Sequence, residues 1–101
     1  MMKYPPINAF CLFSKQTIQI YRIQFMESQM DLALNLLKNK EYSSQDLTQA
    51  IQTLQAYVQS RLWLHDFEAD EQHLLPPNLK RGVLSEDGLD SLFDQVHPFI
   101  Q

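Results

Sequence analysis

Glycine is scarce in this sequence, and its scarcity constrains the fold more than any other feature. Only Gly82 and Gly88 occur among 101 residues. Tight β-hairpin turns depend on backbone conformations that glycine supplies most readily, so a chain this poor in it can form few hairpins. It also has no glycine-rich loop of the kind that cradles a nucleotide phosphate. The length supports one domain around one core. The expected fold class is all-α.

From Thr17 to about Lys40 the apolar residues follow a helical period. Ile23, Met26, Met30, Ala33 and Leu37 recur at intervals of three and four, which stacks them along one face. Thr17 can cap the start, while Lys38 and Lys40 suit the negative end of the helix dipole. A second apolar stripe, Tyr21, Phe25, Leu32 and Leu36, runs roughly opposite the first. A helix apolar on two faces is normally covered on both, so a further element or a second copy of the chain is expected there.

Glu41-Tyr42-Ser43-Ser44 breaks the pattern, and Ser43 with Asp46 approximates a capping box. Leu47, Ile51, Leu54 and Val58 then repeat at helical spacing, with Ala50 and Tyr57 flanking. Gln45, Gln49, Gln52, Gln55 and Gln59 occupy the opposite, solvated face. The short connection makes the two helices an antiparallel hairpin.

The net charge of −4 is unevenly placed. Residues 1–64 carry six basic and four acidic side chains, and residues 65–101 carry two basic and eight acidic. No basic face is present, so a nucleic-acid partner is not expected. The apolar run from Ile7 to Phe13 is broken by Asn8 and is far shorter than the roughly 18 residues of a membrane span. It also has no signal-peptide flanks, so neither secretion nor a membrane is expected. Phe10 and Phe13 in this arm are expected to pack on the domain. A single cysteine, Cys11, fits a reducing compartment, and the expected location is the cytoplasm.

The acidic third begins Trp63-Leu64-His65-Asp66-Phe67-Glu68-Ala69-Asp70-Glu71-Gln72-His73. It extends the second helix or forms a short one after it, and Pro76-Pro77 ends it. On a helix Asp66, Asp70 and His73 share a face, a weak candidate set for a divalent metal beside the plainer reading of a solvated acidic face. Further on, Ser85 is a strong N-cap, with Glu86 and Asp87 placing negative charge on the first turn. The third helix then buries Leu89, Leu92, Phe93 and Val96 and stops at His97-Pro98. Gly88 inside its first turn implies close backbone packing, and Gly82 allows a sharp turn that swings Lys80 and Arg81 toward the acids. Those two are expected to clasp Asp66, Asp70 or Glu71 and so fix the proline loop.

The sequence leans away from catalysis without settling it: a carboxylate pair for acid–base work could be drawn from Asp66, Glu68, Asp70 and Glu71, but nothing separates two roles. Cys11 has no adjacent histidine and Ser85 is committed to capping. His65, His73 and His97 form no i,i+4 pair.

The run Asp66-Phe67-Glu68-Ala69-Asp70-Glu71, then Leu75-Pro76, then Leu79-Lys80-Arg81-Gly82-Val83-Leu84-Ser85-Glu86-Asp87-Gly88, resembles a family of small bacterial proteins catalogued only as a domain of unknown function. Family members are similar at the helix Arg22-Ile23-Gln24-Phe25-Met26-Glu27 and at a Tyr/Trp-containing stretch like Tyr57 to Trp63. The resemblance covers roughly residues 20–97. It implies a cytosolic bacterial protein with its distinctive chemistry in residues 63–88, and no activity to transfer. The family pattern has Gly where this chain has His73, which counts against the metal set. Residues 1–17 fall outside it as an extension or a misplaced start, leaving 18–101 as one helical domain.

The expectation is therefore an antiparallel helical hairpin with an acidic segment, a proline loop and a short third helix. Its leading function is a non-enzymatic module that binds a protein partner through the 63–88 surface: Trp63, Asp66, Glu68, Asp70, Glu71, Lys80, Arg81, Ser85, Glu86 and Asp87. No cofactor is expected. The alternatives are a metal-dependent activity at the acidic segment and a homodimer through Tyr21, Phe25, Leu32 and Leu36.

Overall fold

The computed structural model describes residues 15–99. Helix α1 spans Lys15–Lys38, α2 Gln45–Gln59, α3 Arg61–Glu71 and α4 Glu86–Val96, with a 3-10 turn over Gly82–Leu84 before α4. The fold is all-α, with no strand among the described residues. The N-terminal apolar run, with Phe10, Cys11 and Phe13, lies outside those residues.

Helices α1 and α2 pack as the expected hairpin. Helix α1 ends in a turn where Lys40 takes a left-handed φ of 60°. There the Lys40 N–H bonds Leu37 O at 3.0 Å and the Glu41 N–H bonds Leu36 O at 2.9 Å. This pair of bonds satisfies helix-end carbonyls that would otherwise lack partners. Ser44, one residue past the expected cap, starts α2, its Oγ accepting from the Asp46 N–H at 3.1 Å.

The acidic segment is a separate helix because Ser60 interrupts the chain. Its N–H closes α2 on Ala56 O at 2.9 Å, and its Oγ opens α3 by accepting from the Leu62 N–H at 3.3 Å. Ser85 caps α4 as expected, accepting from the Gly88 N–H at 3.1 Å. A Cβ on Gly88 would stand 3.5 Å from Met30 Cε and 3.3 Å from Ser85 Oγ, which is the close packing its position implied.

One core joins all four helices. It takes Ile23, Met30 and Ala33 from α1, Leu47, Ala50, Ile51, Leu54 and Tyr57 from α2, and Trp63 and Ala69 from α3. Val83, Leu84, Leu89, Leu92 and Val96 complete it from the C-terminal side. Three expectations are corrected here. Val58 stays exposed and Tyr57 takes its place in the core. Phe93 is half-buried against the core rather than within it. On the second stripe of α1, Leu36 packs on the core, but Tyr21, Phe25 and Leu32 are exposed.

Candidate functional site

Two buried acids organise the region where α1 meets the C-terminal third. The first is Asp66 on α3, fully buried. It shares the inward face of α3 with Trp63 and Ala69, so the helix directs its carboxylate at α1 and α2. Three side chains converge on it. Gln19 Nε2 donates to Oδ1 at 2.9 Å. Arg22 donates from Nε to Oδ2 at 2.9 Å and from Nη2 to Oδ1 at 2.5 Å. The Tyr57 hydroxyl donates to Oδ2 at 2.6 Å. Burial alone would raise the Asp66 pKa, but the bonds from Arg22, Tyr57 and Gln19 outweigh it and hold the carboxyl below its ordinary value. Tyr57 is pushed well above the ordinary tyrosine value, first by burial and then by its bond to Asp66. The bond to Asp66 likewise raises Arg22, against the opposing effect of burial.

The second acid is Glu27 on α1, also buried. Its Oε1 accepts from the Val83 N–H at 2.8 Å. The carbonyl of Val83 in turn accepts from Trp63 Nε1 at 3.0 Å. The 3-10 turn is thus pinned from both sides, by a carboxylate of α1 and an indole of α3 whose ring stacks on Phe67 at 5.2 Å. Gly82 opens the tight 3-10 turn, in keeping with the sharp turn expected of it, and makes this approach possible without a left-handed backbone angle. A Cβ there would stand 3.2 Å from Glu27 Oε2.

The residues singled out in 63–88 separate into two groups. Trp63 and Asp66 face inward, and Ser85 is a helix cap. Arg81 makes the expected clasp with Asp70 and also donates from Nη2 to Pro76 O at 2.6 Å, tying α3 to the proline loop. Lys80 departs from expectation: its Nζ lies 3.5 Å from Asp31 of α1, away from the acidic segment. Glu68, Glu71, Glu86 and Asp87 are exposed.

The metal set does not assemble. Asp66 is held by Arg22 and Asp70 by Arg81, while His73 lies past the end of α3 with a left-handed φ of 59°, where the helical spacing no longer applies. Among the described residues, no three histidine, cysteine or acidic side chains are grouped to hold an ion.

Gln19, Arg22, Glu27 and Tyr57 were not anticipated as site residues. The signal was present in part: Gln19 and Glu27 stand four residues either side of Ile23, on the stripe that is buried.

Where α1 passes the proline loop, a groove of about 320 Å³ opens, lined by Ile20, Gln24, Glu27, Asp31, Leu79 and Lys80 among others. Glu27 forms part of its lining, so one of the two buried acids borders open space. Pro76, Asn78 and Ser28 complete the wall.

No helix of the described residues is long and apolar enough to cross a membrane. No curated protein and no solved structure gives a significant match. Residues 23–99 match the family described as Domain of unknown function (DUF4298), and the chain belongs to that family.

Proposed function

Since membership of this family carries no activity with it, we propose from the geometry that the chain is a non-enzymatic protein-interaction module of the cytoplasm. Its working surface is the outer side of the 63–88 segment, where the proline loop meets α1. The groove at that junction is the observation that supports this reading. It has apolar walls in Ile20, Pro76 and Leu79 and polar groups at its edge, the composition of a recognition site rather than of a packing defect. Trp63, Asp70 and Arg81 support this surface from behind by fixing the loop, and Asp66 by tying α3 to α1 and α2.

The test is affinity capture from lysate with the wild-type chain and with Gln24→Arg/Asn78→Arg, two exposed positions on the groove wall. The expected result is a defined partner held by the wild type and lost by the variant, with thermal unfolding unchanged. Recovery of the same proteins by both chains, or of none by either, would overturn the reading.

A second reading, a homodimer through α1, draws support from Tyr21 and Phe25, which are 59% and 53% exposed, with Leu32 on the same stripe. Leu36 takes no part because it packs inward. Light scattering that shows a monomer at high concentration would remove this reading.

A further inference from the structure

Glu27 is 8% exposed, yet it belongs to none of the ion pairs among the described residues. A carboxylate taken out of water without a cation is costly, and buried charges are normally paired. Asp66 illustrates the normal solution, with an arginine on both of its oxygens. Glu27 has a single bond, from the Val83 N–H to Oε1, and among the described residues no hydrogen bond reaches Oε2. No buried side-chain oxygen or nitrogen of the described residues is left without a partner while sealed from solvent, so Oε2 is not wholly closed off. Glu27 lines the groove, and Asp31 adds a second acid to the same lining. Ile20, Pro76 and Leu79 supply hydrocarbon to the lining they share with Glu27.

We propose that the groove binds the cationic side chain of a partner protein, a lysine or an arginine. Its alkyl stem lies on Ile20, Pro76 and Leu79, and its charged head meets Glu27 Oε2. The inference rests on the interaction-module reading and supplies the partner chemistry that reading lacks. An apolar stem with a charged tip is what such side chains present, and a charge-assisted bond in a partly dry site is stronger than a neutral one. Lys80 is a cation already at the rim. Its side chain is 73% exposed and its contact with Asp31 is long, so it meets the second acid of the groove without bonding Glu27 Oε2.

The experiment is a titration of the ¹⁵N-labelled chain with Nα-acetyl-lysine methylamide, and in parallel with the norleucine analogue, which has the stem without the charge. The reporters are the amides of Val83, bonded to Glu27, and Gly82 beside it. We expect saturable shifts of both amides with the lysine probe and none with the norleucine probe. Glu27→Gln, which keeps the acceptor for Val83, weakens binding roughly tenfold, the value of one charge-assisted bond. Lys80→Ala strengthens it. Gln24→Arg, which brings its own cation one helical turn from Glu27, abolishes it and provides a second variant should Glu27→Gln fold poorly. No saturable shift at millimolar probe, equal shifts with norleucine, or unchanged binding by Glu27→Gln would each overturn the inference. If the lysine probe is silent while the lysate partner is lost on Gln24→Arg/Asn78→Arg, the cation inference falls and the module stands. If the probe binds but no partner is captured, the inference about the groove stands and the module reading falls.

Discussion

Asp66 and Glu27 are two carboxylates drawn into the same small protein, and the fold treats them differently. Asp66 is sealed and receives four hydrogen bonds from three residues on α1 and α2. Glu27 receives one and borders a groove. A buried charge that is fully met serves the architecture, because it locks the elements that supply its donors. A buried charge that is half met keeps capacity for something else. Burial alone therefore does not separate structural acids from functional ones. What differs between these two is the count of satisfied acceptor positions.

The largest test of this contrast replaces each acid by its own amide. Asp66→Asn puts an NH₂ group against donors from Arg22, Tyr57 and Gln19, and leaves the guanidinium without its counter-charge. The expected cost is about 3 kcal/mol, the scale of breaking a buried, hydrogen-bonded ion pair from one side. It is read as a lower denaturation midpoint at constant slope. The acid limb of the stability curve provides the second readout. The Asp66 pKa is lowered in the folded state, so as pH falls the unfolded chain takes up this proton first, near the ordinary aspartate value of about 4. The stability Asp66 contributes is complete above that pH and is lost as pH falls further toward the folded pKa. Asp66→Asn should flatten this limb. A wild-type steepness retained in the variant would show that Asp66 is not the closed site described.

Tyr57→Phe asks whether the knot depends on each of its donors. The hydroxyl bond is short, but Arg22 and Gln19 still hold the carboxylate after it is lost, so the expected cost is about 1 to 2 kcal/mol. The alkaline limb is the sharper measurement. Tyr57 has a raised pKa in the fold, so its contribution is full below the ordinary tyrosine value of about 10 and is lost as pH rises beyond it. The phenylalanine variant should lose that dependence. A loss as large as that of Asp66→Asn would mean the network fails as a unit rather than in parts.

Much of this architecture was legible in the sequence, and the failures have a common cause. The stripes of α1 and α2, the Ser85 cap and the Arg81–Asp70 clasp all follow from spacing along one element or between neighbours a few residues apart. Asp66 was misplaced to the surface because its donors Arg22 and Gln19 lie 44 and 47 residues away, a distance no periodicity spans. Glu27 was missed because its acceptor role is defined by Val83, 56 residues on. His73 is an intermediate case. Its expected ligand role depended on helical spacing, but the helix ends before it. Its N–H bonds Asp70 O at 3.0 Å and the Leu74 N–H bonds Ala69 O at 2.9 Å, a closing turn that requires the left-handed backbone glycine adopts freely. His73→Gly should therefore stabilise the chain by about 0.5 to 1 kcal/mol, visible as a raised thermal midpoint. As a gain outside both acid sites, it provides a control for the losses within them.

The smallest effect is expected at Glu27, and it decides the comparison. Glu27→Gln makes the same chemical change as Asp66→Asn, a carboxylate to an amide of equal size in a buried position. The amide oxygen still accepts from the Val83 N–H, and no described cation loses a partner. The amide nitrogen takes the place of Oε2, where the groove leaves room for it to meet water. Stability should therefore change by less than about 0.5 kcal/mol, the range of substitutions that break no buried network. It should rise if anything, since an uncompensated charge is removed. A cost near that of Asp66→Asn would place Glu27 beside Asp66 as an architectural acid and would close the groove as a site. A near-neutral result would mean the fold does not need the charge of Glu27, leaving recognition as the reason for a carboxylate at this position.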